Sequence, residues 1–376
     1  MILVSPVSTQ TFPVVVTALT LKPEKILLLS TPKVRKFEKF LKNVLTYSGI
    51  EVEIKTIEPY NRKSIVSSVS DISGDVLYLL NCGTKYTAMV LFDIAGKDKV
   101  IYYTPDGKLL SLDGEIVAEI KNDLLDVEIH SAMYGFKIKS EVQEIGKIVE
   151  RKALTYYVAF NYKKFTLILN KIQGQFLPKG LFPPDFYSLA VKYQVIKPHG
   201  GKYLVFDEGY LRGKWFEEFV FLKLIERGFY DVHIGVVINW YDSDVVNEID
   251  VIAVKNNRLH LFSCKTGKNI NVFSKHLYEL HELTKRIGGD FGKGYLCIAP
   301  AVLNTKRPSV KAFPSMPKKP FDRRDSDWQK FLNSEEGKKY KEAWSAYTSL
   351  KFLTKRANLM DLQILTVEDL ISGDWH

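Results

Sequence analysis

Short apolar runs alternate with stretches of helical spacing from Met1 to Pro105. Leu3-Val4-Ser5-Pro6 closes a first strand, and Phe12 to Leu21 reads as a helix. Lys25 to Leu29 is a continuous apolar run, the pattern of a strand buried on both faces. Val34 to Tyr47 sets Val34, Phe37, Phe40, Leu41, Val44 and Leu45 on one side of a helix. Glu51 to Ile57 alternates and reads as a strand, and Asp75 to Leu80 as a further buried one. A loop and a helix from Thr84 to Ala95 follow, then a strand from Lys99 to Thr104. Strands alternating with helices predict an α/β fold with a mostly parallel, Rossmann-like sheet.

The pattern then changes twice. Ile138 to Tyr157 has helical spacing, Phe165 to Ile172 suits helix or strand, and Lys179-Gly180-Leu181-Phe182-Pro183-Pro184 is rich in turn residues. From Gly213 a helix runs to Gly228, a natural C-terminal stop. Strands follow at Val232 to Trp240, Glu248 to Val254 and Leu259 to Lys265. Asn256-Asn257 is a two-residue hairpin turn, since Asn tolerates positive φ. A helix from Ser274 to Ile287 stops at Gly288-Gly289, and Tyr295 to Ala299 is a last strand. The chain therefore divides into residues 1–130, a connecting subdomain at 131–205 that a winged helix would suit, and a second α/β domain at 206–376.

Composition narrows the classes. Hydrophobic residues make up 46% and charged residues 26%, which excludes a disordered or fibrous chain. Apolar runs such as Ile26 to Leu29 end far short of the about 20 residues of a membrane span. Met1 to Pro6 lacks the basic flank of a signal peptide. Cys82, Cys264 and Cys297 form neither a disulfide framework nor a Cys-x-x-Cys site, as expected in a reducing cytoplasm. Lys plus Arg number 53 against 43 Asp plus Glu, a net charge of +10 that attracts polyanions and also serves solubility. Residues 306–330 interleave Lys and Arg with Phe313, Phe321, Trp328 and prolines, the composition of a basic loop able to guide a nucleic-acid strand or simply be solvated.

The hairpin carries chemistry. With Asn256-Asn257 as its turn, Lys255 faces Arg258, Asp250 faces Ser263, and Glu248 faces Lys265. Side chains alternate along strands, so Glu248, Asp250, Ser263 and Lys265 share one face. On the preceding helix Glu217 and Glu218 both sit among large apolar residues, and periodicity alone leaves open which points inward. A carboxylate in such surroundings must be paired or desolvated. A carboxylate beside a lysine at a strand end is commonly a structural ion pair; joined by a helix carboxylate it also suits a divalent-metal phosphodiesterase site, with Mg²⁺ or Mn²⁺ on the oxygens and Lys265 orienting water or stabilising developing charge.

The first domain offers three polar loops where parallel strands end: Ser8-Thr9-Gln10, Ser30-Thr31-Pro32 and Asn81-Cys82-Gly83-Thr84-Lys85. Rossmann-like sheets bind ligands beyond such ends. The third loop opens a helix, so its backbone N–H groups suit phosphate and Lys85 adds charge. Gly-x-Gly-x-x-Gly and Gly-Lys-Ser/Thr are both absent, which disfavours a dinucleotide cofactor and an NTPase.

Gly213-Lys214-Trp215-Phe216-Glu217, Asn247-Glu248-Ile249-Asp250-Val251, Ser263-Cys264-Lys265-Thr266-Gly267 and Gly288-Gly289 resemble the nuclease half of the CARF-fused, restriction-endonuclease-like effectors of type III CRISPR systems. Their PD-(D/E)xK pattern maps its helix glutamate onto Glu217, its metal aspartate onto Asp250 and its lysine onto Lys265. Ser263 stands where that pattern has an acid, with Glu248 or the Cys264 carbonyl as substitute metal donors. Asn81-Cys82-Gly83-Thr84-Lys85 is similar to the CARF loop Thr-Gly-Gly-Thr-Lys. The resemblance implies a homodimer that binds cyclic tetra-adenylate across its two-fold axis through Ser8, Thr9, Gln10, Ser30, Thr31, Pro32, Asn81, Gly83, Thr84 and Lys85. Binding would then activate cleavage of DNA or RNA. A CARF-type regulator with an inactive nuclease fold and a ligand-independent DNA-repair nuclease are the alternatives.

Overall fold

The computed structural model describes residues 1–142, 144–169, 175–241, 243–267 and 270–375. Its first part runs β1 (Ile2–Pro6), α1 (Phe12–Leu21), β2 (Lys25–Ser30), α2 (Arg35–Tyr47), β3 (Glu51–Thr56), α3 (Arg62–Val69), β4 (Val76–Leu79), α4 (Lys85–Ala95), β5 (Val100–Thr104), β6 (Lys108–Ser111) and β7 (Ile116–Glu119). The strand order is β3-β2-β1-β4-β5-β6-β7, with β1 to β5 parallel and β6 and β7 antiparallel at the edge. The run Ile26 to Ser30 is buried because helices cover both faces. Val4, Leu27 and Leu29 pack with Ile65, Val90 and Leu91 on one side, and α1 and α2 lie on the other. Helix α3 and the β6–β7 hairpin have no counterpart in the hydrophobic pattern. Ser64, Ser67 and Ser68 dilute the apolar face of α3, and Asn61 starts it by accepting the Ser64 N–H.

The middle comprises α5 (Val127–Tyr134), β8 (Phe136–Ser140), α6 (Ile145–Glu150), α7 (Lys152–Phe160), α8 (Tyr162–Leu169), β9 (Phe176–Pro178), α9 (Pro184–Lys192), β10 (Ile196–His199) and β11 (Lys202–Val205). The helix expected over Ile138 to Tyr157 is not continuous. Phe136–Ser140 is a strand, and helix begins at Ile145. Phe136-Lys137-Ile138-Lys139 alternates apolar and charged, the period of a strand rather than a helix. Phe165 falls on a helix, while 170–172 lie outside the described residues. Three short strands pair antiparallel in the order β10-β11-β9, with α9 between the first two in sequence.

The last part has α10 (Trp215–Glu226), β12 (Tyr230–Trp240), β13 (Ser243–Lys255), β14 (Arg258–Gly267), α11 (Ser274–Gly288), β15 (Lys293–Pro300), α12 (Ser326–Asn333), α13 (Glu335–Asn358), β16 (Leu362–Thr366) and α14 (Val367–Ser372). Its mixed sheet runs β16-β15-β14-β13-β12-β8. One face packs on α7 and α10 through Trp215, Phe219, Phe221 and Phe262. The other face joins the core of the first part. Val236, Ile238, Leu259 and Leu277 cluster with Val14, Val15, Leu41 and Leu45 of α1 and α2. Gly135, at φ +74°, permits this approach, since a Cβ there would lie 2.1 Å from Phe40 Cζ.

His233 on β12 ties the start of that sheet to its neighbours. Its Nε2 meets Asp231 Oδ1 at 2.8 Å, and its Nδ1 meets Glu141. The hydrogen bond to Asp231 outweighs burial, and Glu141 adds to it, so the imidazole is raised from 6.5 to about 9. A group raised in the folded state stabilises fully below its unfolded value and loses that contribution as pH rises through the folded one. His233→Gln is therefore expected to cost about 2 kcal/mol at pH 6 and little at pH 10, read from denaturant unfolding at the two pH values. An equal loss at both would show that the imidazolium plays no part.

Candidate active site

Asn256 and Asn257 both adopt positive φ, 50° and 61°, so the hairpin turns where its sequence requires. The β13–β14 ladder pairs Lys255 with Arg258 and continues to Val251 with Phe262. Beyond that pair the Cys264 N–H donates to Asp250 Oδ2 at 2.6 Å instead of to a backbone carbonyl. The expected opposition of Asp250 and Ser263 survives as a side-chain contact, Ser263 Oγ donating to Asp250 Oδ2 at 3.3 Å. No ladder pair joins Glu248 to Lys265. Glu248 is exposed and pairs through its backbone with Val237 of β12.

Lys265 Nζ donates to the same Asp250 oxygen at 2.8 Å. Burial pulls the Lys265 ammonium down, but the charge and hydrogen bond of Asp250 outweigh it and hold the group above its ordinary range. Glu217 approaches from the first turn of α10. Burial first, then the negative charge of Asp250, raises its carboxyl to about 7, with Glu248 adding to the shift and Lys265 and Lys214 opposing it. Glu218, its neighbour, points away. It is 3% exposed and bound by Arg151 through Nε at 2.9 Å and through Nη2, with Thr155 Oγ1 at 3.2 Å. The structure thus settles which glutamate faces the hairpin. Helix α10 is apolar nearly all round, so its spacing held no answer.

Gly213 and Thr266, both within the motifs quoted above, and His276, which no motif marks, also bear on this cluster. Burial first, and then the charge of Lys265, holds the His276 imidazole of α11 below its ordinary value. Gly213 breaks the helix ahead of Trp215 and brings Thr266 Oγ1 within 3.4 Å of the Arg212 carbonyl. The Cys264 thiol is buried and raised well above its usual range, so this residue serves through its backbone.

Among the described residues no group of three or more His, Cys, Asp or Glu side chains is arranged to hold a metal ion. Two carboxylates nevertheless suit a hard cation that keeps most of its water. The three contacts on Asp250 all fall on Oδ2, which leaves Oδ1 as a donor. The raised Glu217 carboxyl beside Asp250 is the strain a cation between them would relieve.

The three polar loops are neighbours, because β2, β1 and β4 are adjacent and parallel. Gly83 at φ +82° lies against Pro6, where a Cβ would sit 2.6 Å from the proline Cβ. Several loop side chains are committed elsewhere. Asn81 bonds both ways to the Tyr103 backbone, at 2.8 and 2.6 Å. Thr84 caps α4 by accepting the Thr87 N–H, and Ser30 is buried. Ser8 Oγ accepts the Gln10 N–H. Gln10 turns toward the second domain, its Oε1 accepting the Asp290 N–H at 3.2 Å just beyond α11. Thr9, Pro32 and Lys85 remain exposed, with Thr31 and Gly83 beside them.

A mixed sheet carrying Asp250 and Lys265 beneath a helix carrying Glu217, coupled to a Rossmann-like domain with polar strand ends, defines the class of sensor-linked nucleases. Residues 2–126 match the Card1 CARF domain family, and residues 207–307 match the Card1-like endonuclease domain family. The chain joins a CARF domain of the Card1 type to a Card1-like endonuclease domain, and it is a nuclease. No curated protein matches it by sequence. Can2 from Sulfobacillus thermosulfidooxidans, solved with cyclic tetra-adenylate, superposes with a TM-score of 0.66 at 18% identity over 98% of this chain and 96% of its own. Protein VC1899 from Vibrio cholerae superposes at 0.70 and 15% over 99% and 95%. A type III CRISPR defence DNA nuclease activated by cyclic oligoadenylate superposes at 0.51 and 20%, over 79% of this chain and 45% of its own. At these identities the likeness is one of fold.

Proposed function

We infer that this chain is a divalent-metal-dependent nuclease of type III CRISPR defence, switched on by cyclic tetra-adenylate and acting as a homodimer. The observation that carries this reading is the cluster of Glu217 from α10 with Asp250 and Lys265 from adjacent strands, in the same chain as three polar loops gathered at adjacent parallel strand ends. The Can2 complex with cyclic tetra-adenylate and the activated DNA nuclease support the choice of activator. A cyclic tetranucleotide is near two-fold symmetric, so two copies of the chain would meet it with the same loops.

Asp250 and Glu217 would hold Mg²⁺ or Mn²⁺, which supplies Lewis-acid polarisation of the phosphate and a more acidic water. Lys265, fixed by Asp250, points a positive charge at the phosphorane as negative charge develops there. The Cys264 N–H fixes the carboxylate in turn. The substrate is DNA, RNA or both, guided by the basic segment that ends in α12. The test is cleavage of labelled DNA and RNA with Mg²⁺, Mn²⁺ or EDTA, each with and without cyclic tetra-adenylate. Metal-dependent cleavage that requires the ligand supports the reading. Ligand binding without any cleavage would leave the inactive-regulator reading, and cleavage indifferent to the ligand the repair-nuclease reading.

Lys85 is exposed at the start of α4, where helix N–H groups already favour phosphate. Lys85→Ala is expected to weaken cyclic tetra-adenylate binding by about 1.5–3 kcal/mol by calorimetry, a charge-assisted contact, without altering the nuclease site. Unchanged affinity would reduce this loop to a turn.

A further inference from the structure

A pocket of about 480 Å³ opens between the two domains, lined by none of the residues assigned above to either site. Its walls come from the Asn256-Asn257 hairpin, the turn after β5, the end of α10 and the C-terminal Trp375. Lys255 lies about 17 Å along β13 from Asp250 at 3.4 Å per residue, so the pocket is remote from the catalytic cluster.

Its charge is unbalanced. Arg227, Lys255, Arg258 and Lys293 all line it and all are half-buried. Three of them rest on neutral backbone carbonyls. Arg227 Nη2 donates to Trp375 O at 3.0 Å, Lys255 Nζ to Arg227 O at 2.9 Å, and Arg258 Nη2 to Pro105 O. Among the described residues the sole carboxylate in the lining, Asp106, is already bridged by Lys108 at 3.0 Å. Like charges gathered on one concave wall repel, and the repulsion strengthens as water is displaced. An anion in the pocket removes that penalty.

The lining also defines the kind of anion. The Arg227 guanidinium stacks on the Trp375 indole with its carbon 4.5 Å from the ring centroid, and Lys255 Nζ lies 4.8 Å from the Phe229 ring, so aromatic rings back the cations. Trp375 Nε1 is buried and has no hydrogen-bond partner among the described residues. Gln363 adds an exposed amide to the rim, while the Asn257 amide is buried and spent on the Leu124, Leu125 and Lys121 backbone. The volume is that of a small-molecule site. The geometry points to a second ligand site, for a phosphate-bearing anion of mononucleotide size held between the CARF and endonuclease domains. The assignment does not depend on the activator or on the nuclease reaction.

The test uses the full chain in EDTA, so that no anion is retained through a metal at the catalytic carboxylates. ADP, pyrophosphate and adenosine are titrated by calorimetry, with melting followed in parallel. Binding of ADP with a raised Tm and no binding of adenosine is the expected result, because the phosphates meet the cations and a ligand of the folded state stabilises it. Pyrophosphate binding as tightly as ADP assigns the site to inorganic polyphosphate. Tighter ADP assigns it to nucleotides. Lys293, which has no ion pair among the described residues, is the probe of location. Lys293→Glu is expected to weaken binding by about ten-fold or more while leaving the unliganded Tm near wild type. Lys255→Gln, which keeps a donor for the Arg227 carbonyl, gives the same answer if Lys293→Glu fails to fold. The proposal is overturned if neither phosphate binds below about 1 mM. It is equally overturned if both variants bind as wild type while Lys85→Ala abolishes binding, which would place the anion at the CARF loops.

Discussion

Asp250→Ala and Lys265→Ala proteins are expected to cleave nucleic acid at least about 100-fold more slowly than wild type at saturating activator and Mn²⁺. Asp250 organises the cluster. Its Oδ2 accepts from Cys264 N, Lys265 Nζ and Ser263 Oγ at once. Removing it leaves the lysine without an anchor and the site with one carboxylate fewer. Removing Lys265 keeps the carboxylates and takes away the charge that meets the developing phosphorane. Ser263→Ala is expected to cost about five-fold or less, since a single hydroxyl contact is worth about 1 kcal/mol. Initial rates on end-labelled substrate, with circular dichroism to confirm folding, check all three. Near-wild-type cleavage by highly purified Asp250→Ala protein would sink the site.

Arg151→Ala is expected to be among the most damaging substitutions for stability, at about 3–5 kcal/mol. Arg151 joins α7 to α10 through Glu218, reaches Asp207 at 2.8 Å with Nη1, and lies over the Tyr210 ring at 4.4 Å. Its side chain is 8% exposed and that of Glu218 4%. Without the guanidinium, a carboxylate is left in an apolar helix interface with Thr155 alone for a partner among the described residues. The double variant Arg151→Met, Glu218→Met should recover most of the loss, because replacing both charges leaves neither unpaired. Calorimetric melting of the two variants decides it. A single variant that melts with the wild type would mean the pair is solvated, and a double variant no better than the single would mean the cost is packing.

The parallel strands, the hairpin and the Lys265–Asp250 pair were legible because each rests on a local rule: continuous apolar runs, an Asn-Asn turn, alternation along β13 and β14. What escaped involves residues distant in the chain. Glu217 and Glu218 are separated in role by Arg151, which no helical period reveals. Gln10 carries the composition of a ligand loop, yet its side chain serves Asp290, a partner 280 residues away. Asn81 looks free in sequence and is spent on Tyr103. The strand at Phe136–Ser140 was readable from its alternation, but the apolar positions that follow it extend a helical spacing backward across it.

The cluster that joins Val14, Val15, Leu41 and Leu45 to Val236, Ile238, Leu259 and Leu277 has a consequence for how such a protein is recombined. Sensor and effector here are not cassettes. A nuclease domain freed of residues 1–130 would present to water the apolar face that α1 and α2 now cover, and would aggregate or bind chaperones. A foreign sensor grafted in their place would need the same helix face, side chain for side chain. Exchange of specificity in this architecture is therefore confined to the loops beyond the strand ends, which the shared core leaves at the surface.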